Sequence, residues 1–362
     1  MAANVSDLLG LRMDELMRVT IERGASDLHM SVGLPPTLRI DGRLAPTEFP
    51  KLSPEDTKRL VYSILTDAQK ERFEKNLELD FSHGLKGFGR FRVNAFKQRG
   101  VIGAAFRAIP STVPPLSTLN LPTVMSDLTM RPQGLILVTG PTGSGKSTAL
   151  ASMLDVINSS MARHIITMED PIEYLHFHKM SIVNQREVGQ DTHSFPNALR
   201  AALREDPDVV LVGEMRDMET IAVTLTIAET GHLVFATLHT SDAAQTMDRV
   251  IDVFPAHQQQ QIRVQLASVI EAVVCLRLLP HASGVGRVPA AEVMIATPAI
   301  RNLIRENKTH QIHNSIVTSR GMHMQTFDMS LRDLVRKHMI TAEEAFNASM
   351  HPEELRKLIE GV

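Results

Sequence analysis

The chain has 362 residues, 43% hydrophobic and 22% charged, with Lys+Arg 38 against Asp+Glu 41 and a formal net charge of −3. This length exceeds one typical core and suggests two or three domains at about 150 residues each, while the charge balance gives no overall basic footprint for nucleic acid or anionic lipid. A single cysteine, Cys275, excludes an intrachain disulfide framework and a cysteine-ligated zinc site, and there is neither a basic-then-apolar leader nor a long apolar run, so the expectation is a cytoplasmic protein without direct membrane insertion.

Ser6 or Asp7 can cap a first helix, with Leu8, Leu9, Met13, Leu16, Met17 and Ile21 at helical intervals up to Gly24. Short strands are expected over Asp27 to Val32 and Thr37 to Ile40, with an Asp41-Gly42 turn before the next extended piece. Ser53-Pro54-Glu55 opens another helix, since serine caps well and proline is tolerated at the first helical position. Gly89 to Lys97 and Val101 to Ile109, joined by Gln98-Arg99-Gly100, predict a hairpin. The period of two places Arg90 and Arg92 on one face of it, and Arg107 lies on the second strand. Three prolines in the eight residues from Pro110 to Ser117 predict a stiff linker, so the expected division is an N-terminal α+β domain over 1–109, a linker over 110–117 and a second domain over 118–362.

In the second domain an apolar run, Leu135 to Val138, leads into Gly140-Pro141-Thr142-Gly143-Ser144-Gly145-Lys146-Ser147-Thr148. This is G-x-x-x-x-G-K-[ST] between an expected strand and an expected helix start. Converging backbone N–H groups need residues free of Cβ crowding, hence glycine at the turns. Lys146 is then expected to reach the β and γ phosphates of ATP, and the Ser147 hydroxyl to sit on Mg²⁺ at the positive end of the helix.

Strands expected at His164 to Met168, Val209 to Val212 and Leu233 to Ala236 alternate with helices from Lys146, Glu219 and Ala243, which predicts a mainly parallel sheet buried on both faces. Hydrolysis also needs carboxylates at neighbouring strand ends. Val209-Val-Leu-Val-Gly-Glu214 supplies Glu214 as metal or water ligand, and Glu169, within the cluster Glu169-Asp170-Pro171-Ile-Glu173, is the preferred general base. His239 ends a further strand, where an imidazole can sense a γ phosphate. Arg90 and Arg92 are candidates for a finger delivered from another domain or subunit. Beyond about residue 255 the pattern reads as a helical appendage with one strand at Pro289 to Ile295.

These segments, in their order, resemble the type II/IV secretion ATPase superfamily: Glu169-Asp-Pro-Ile-Glu-Tyr174, Asn184-Gln-Arg-Glu-Val-Gly189, Ala198 to Asp208, Val212-Gly-Glu-Met-Arg-Asp217, Ala228-Glu-Thr-Gly-His-Leu233 and Thr237-Leu-His-Thr240. Ala299-Ile-Arg-Asn-Leu-Ile-Arg-Glu306 looks like the C-terminal motif of the PilT-like type IV pilus retraction ATPases, and Ala25-Ser-Asp-Leu-His29 with Gly89-Arg-Phe-Arg-Val-Asn94 looks like that family's N-terminal domain. The resemblance implies a PAS-like α+β domain followed by a RecA-like P-loop ATPase domain with a helical C-terminal region. Six chains would form a ring that converts ATP hydrolysis into pilin removal and twitching motility. Implied partners are an inner-membrane pilus platform protein and, in the accessory reading, a paralogous retraction ATPase, with the protein at the cytoplasmic base of the pilus.

The residues that match the family are Glu169 for its aspartate box, Glu214 for its Walker B glutamate, His239 for its histidine box, and Arg90, Arg92 and Arg107 for its arginine-bearing region. Assembly and type II secretion ATPases usually carry a tetracysteine zinc site, which Cys275 alone does not supply. An accessory or regulatory paralogue of low turnover, or an assembly or secretion motor, are the alternatives. A nucleic-acid translocase is disfavoured by the charge of −3 and by 4% aromatics with no tryptophan.

Overall fold

The computed structural model of the chain describes residues 10–40, 42–85, 88–110 and 112–360. They form two compact units: the first runs to Thr112 and also takes in Glu173–Leu175, and the second comprises Val113–Ile172 and the chain from His176 onward.

The first unit is built on β1 (Asp27–Met30), β2 (Thr37–Ile40), β3 (Arg43–Pro46), β4 (Glu78–Leu85), β5 (Gly89–Gln98) and β6 (Val101–Ile109), in the sheet order β3-β2-β1-β6-β5-β4. All neighbours pair antiparallel. Along β5, Phe91, Val93 and Ala95 point into the core while Arg90, Arg92 and Asn94 do not, the alternation expected of a half-buried strand. The helix Pro54–Tyr62 starts with a reciprocal cap: Ser53 Oγ accepts from Asp56 N–H at 3.1 Å, and Asp56 Oδ2 accepts from Ser53 N–H at 3.0 Å. The first helix spans Met13–Glu22 and buries Met13, Leu16 and Met17, whereas the proposed caps Ser6 and Asp7, with Leu8 and Leu9, lie outside the described residues. A helix at Asp67–Asn76 and the strand β4 complete the unit.

The second unit carries β7 (Gly134–Thr139), β8 (His164–Glu169), β9 (Ile182–Glu187), β10 (Val209–Val212), β11 (Leu233–Leu238), β12 (Ile270–Pro280) and β13 (Arg287–Ile295), ordered β13-β12-β7-β11-β10-β8-β9. Pairing is parallel from β12 through β9, and β13 joins β12 antiparallel. β7 shows why the strands read as unbroken apolar runs. Leu135 and Leu137 enter one hydrophobic cluster and Ile136 and Val138 another, so both faces are covered.

The expected helical appendage beyond residue 255 is corrected here. Residues 270–280 form β12, inserted between β13 and β7, and with β13 they belong to the central sheet. Helices do follow, beginning with Pro298–Arg305, whose Ile300 and Ile304 are buried. In that helix Arg301 is a structural anchor: it donates to Ala267 O and Ser268 O, both at 2.9 Å, capping the carbonyl end of the helix Ala256–Val269, and also bonds Glu271 at 2.5 Å.

Candidate active site

The loop after β7 takes the shape its glycines permit. Gly140, Gly143 and Gly145 have φ of +136°, +78° and +94°, where a side chain is strained. At Gly140 there is also no room, since a Cβ would lie 2.2 Å from Leu276 O and 2.8 Å from Ser144 Oγ. Gly145 then starts the helix Lys146–Ser160 without any side-chain cap, leaving the positive helix end directed at the loop. Ser144 is 3% exposed, and its Oγ is buried without a hydrogen-bond partner among the described residues. Lys146 Nζ donates to Gly140 O at 2.7 Å and Pro141 O at 3.0 Å. Burial pulls the Lys146 ammonium below its ordinary pKa, and the Glu214 charge opposes that. A loop that places a lysine, an orphaned hydroxyl and an uncapped helix start together fits a phosphate.

Glu169, Glu214 and His239 come together because parallel strands end on the same side. β7, β11, β10 and β8 are consecutive in the sheet, and the phosphate loop, His239, Glu214 and Glu169 follow or end them in that order. Gly213 permits the close approach of the two acids: its N–H donates to Met168 O at 2.8 Å, and a Cβ there would lie 3.2 Å from Glu169 Cα. The environments of the acids differ. Glu214 Oε1 accepts from His239 Nε2 at 2.9 Å and Arg216 Nε at 2.6 Å. Burial pushes its carboxyl upward, but the Arg216 hydrogen bond and the His239 and Arg216 charges outweigh that and hold it below the usual carboxylate value. Glu169 is 8% exposed and meets neutral donors, Thr167 Oγ1 at 2.6 Å and Gln185 Nε2 at 3.2 Å, both on Oε1. Arg216, Thr167 and Gln185 were not singled out by sequence reasoning. Arg216 stands in the same Val212 to Asp217 segment as Glu214, and Thr167 faces Glu169 by the strand period of two.

The arginines belong to the first unit. In register, Arg39, Asp27, Arg107, Arg92 and Ser82 form one row across β2, β1, β6, β5 and β4. Asp27 organises it, accepting from Arg107 Nε at 3.0 Å, with Arg39 Nε at 3.9 Å. Burial raises the Asp27 carboxyl, yet the Ser26 hydroxyl and Arg107 bring it below its ordinary value. Arg90 lies one step along the same face of β5. No group of three or more His, Cys, Asp or Glu among the described residues is arranged to hold a metal by itself, and no described helix is long and apolar enough to cross a membrane.

A strand, phosphate loop and helix on a parallel sheet, with carboxylates at the adjacent strand ends, define a P-loop ATPase. The chain belongs to the type II/IV secretion system protein family, whose model matches residues 9–356. It is similar to the type IV pilus retraction ATPase PilT of Pseudomonas aeruginosa, 51% identical over 339 residues, covering 94% of this chain and 98% of the relative. It is also similar to the type IV pilus ATPase PilU of Pseudomonas aeruginosa, 40% identical over 349 residues, covering 96% and 91%. A crystal structure of the pilus retraction motor PilT with bound ADP matches with a TM-score of 0.89 at 51% identity, over 96% of this chain and 99% of that one.

Proposed function

We propose that this chain is an ATPase motor that drives type IV pilus retraction and twitching motility. The observation that carries the reading is the gathering of the phosphate loop, Glu169, Glu214 and His239 on four consecutive strands at one sheet edge. On this reading the backbone of Gly140 to Gly145 cradles the phosphates, Lys146 binds them, and Ser147 with Glu214 would hold Mg²⁺, whose charge would offset that of the phosphates. Glu169 orients and deprotonates the attacking water, and Thr167 and Gln185 aim its carboxylate. His239, fixed by Glu214, senses the γ phosphate. Arg90, Arg92 and Arg107 supply the finger from the first unit of the same or a neighbouring chain. The proposed assembly is a homo-hexamer of chains with a PAS-like domain over 1–109, a linker over 110–117 and a RecA-like domain over 118–362. It would stand in the cytoplasm at the inner-membrane base of the pilus, against the platform protein.

Phosphate release from ATP by the purified chain, together with a deletion strain scored for surface pili, tests this. Turnover, with many pili and no twitching in the deletion strain, is the expected result, whereas absent pili would indicate an assembly motor. The 40% identity to PilU supports a second reading as an accessory retraction ATPase, for which deletion leaves pili and motility unchanged.

A further inference from the structure

Glu292 is a buried carboxylate that this scheme does not use. It sits mid-strand in β13, 4% exposed, and its Oε1 accepts from the Ala243 N–H at 2.8 Å. The Phe327 N–H also acts on it, favouring the charged form. Ala243 begins the helix Ala243–Asp252 and Phe327 begins the helix Phe327–Arg336, so one carboxylate spans two helix starts. Across the sheet, Glu292 pairs with Cys275, Cys275 with Thr139, and Thr139 with Leu238, the residue before His239. The loop from His239 to Asp242 is therefore fastened by β11 at one end and by the Glu292 contact at the other. Between them Asp242 caps Gln245 N–H at 2.8 Å, and Thr240 Oγ1 lies 2.7 Å from Thr246 Oγ1.

We propose that Glu292 is a positioning residue for ATP hydrolysis: its carboxylate holds the His239 loop against Glu214 by joining the start of helix Ala243–Asp252 to the start of helix Phe327–Arg336. This deepens the ATPase reading and rests on it. The physical reason lies in the two helix ends. Each presents a positive dipole, so an anion between them grips both N–H groups more strongly than a neutral amide does.

The same charge strains the fold. Burial, then the nearby Asp242 and Asp328 carboxylates, push Glu292 up to about 7 against the pull of the two N–H donors. The other titratable groups around it are Cys275 on β12 and His310, His313 and His351, which share with it a cavity of about 310 Å³. Because the folded value lies above the ordinary 4.5, stability contributed by Glu292 is fully present below that ordinary value and is lost as pH rises through about 7. A peg serving stability alone would be better uncharged.

The experiment measures kcat, KM for ATP, ADP affinity and melting temperature of the full-length protein over about pH 6 to 9, for wild type, Glu292→Gln and Asp242→Asn. Wild-type kcat is expected to fall as pH drops through about 7. Glu292→Gln should lose that limb, with kcat about tenfold lower at alkaline pH, KM and ADP affinity little changed, and an unchanged or higher melting temperature there. Asp242→Asn keeps a competent cap but removes a neighbouring charge, so it should move the limb to lower pH. Wild-type kcat in Glu292→Gln, a limb that persists in it, or kcat and melting temperature falling together would each overturn the proposal. Should Glu292→Gln not fold, an unmoved limb in Asp242→Asn overturns it alone. A wild-type protein that releases no phosphate would instead refute the ATPase reading.

Discussion

The two sheets of this protein arrange polar chemistry in opposite ways. In the second unit, parallel pairing sends strand after strand out on one side, so residues as distant in sequence as Gly140, Glu169, Glu214 and His239 meet at a single edge. In the first unit, antiparallel pairing alternates the strand ends between the two sides of the sheet. Its charged residues collect on a face instead, as the row Arg39, Asp27, Arg107 and Arg92. An edge collects groups that act together on one bound molecule. A face presents groups in parallel, suited to contact with something broad.

The contrast can be broken or sharpened by mutation. Its largest expected effect is at the edge: Glu169→Gln should lower kcat by up to about 10⁴-fold while ADP binding, measured by calorimetry, stays intact. On the face, Arg92→Ala should lower kcat by about 10³-fold in the assembled protein without changing ADP affinity. An Arg92→Ala ATPase rate equal to wild type would reduce the row to a solvated surface. Gly140→Ala forces a methyl group against Leu276 O, 2.2 Å from where its carbon would sit, so denaturant melts should show a loss of about 1–3 kcal/mol. The smallest effect is Asp27→Asn, under about 1 kcal/mol because the side chain of Arg107 is largely exposed. Its sign is set by the depressed Asp27 pKa: that stability is present above the ordinary 3.8 and lost as pH falls through the folded value, so wild type and Asp27→Asn should converge in acid melts.

Much of the edge was legible beforehand. Glycine spacing, the stop of each apolar run and the carboxylate after it are local features, and each maps onto one strand end. The hairpin of β5 and β6 was equally plain, because Phe91, Val93 and Ala95 alternate with polar residues. β12 was not. Ile270 to Pro280 is buried on both faces, so it lacks alternation, and it follows the helix Ala256–Val269 with no glycine or proline between them. Such a run reads as helix or strand alike. Glu292 was hidden for a different reason. Nothing about its neighbours in sequence signals that Ala243 and Phe327 will present their N–H groups to it, since those contacts exist only once β13 is in place. Long-range partners such as Gln185 for Glu169 share that limit.

The approach of Leu276 O to Gly140 has a mechanical meaning. The phosphate loop at Gly140 and the strand β12 at Leu276 meet backbone to backbone, with no compressible side chain between them. A displacement of β12 at Leu276 would therefore press on the backbone of the phosphate loop itself, and alanine at 140 would be felt on both sides of that contact.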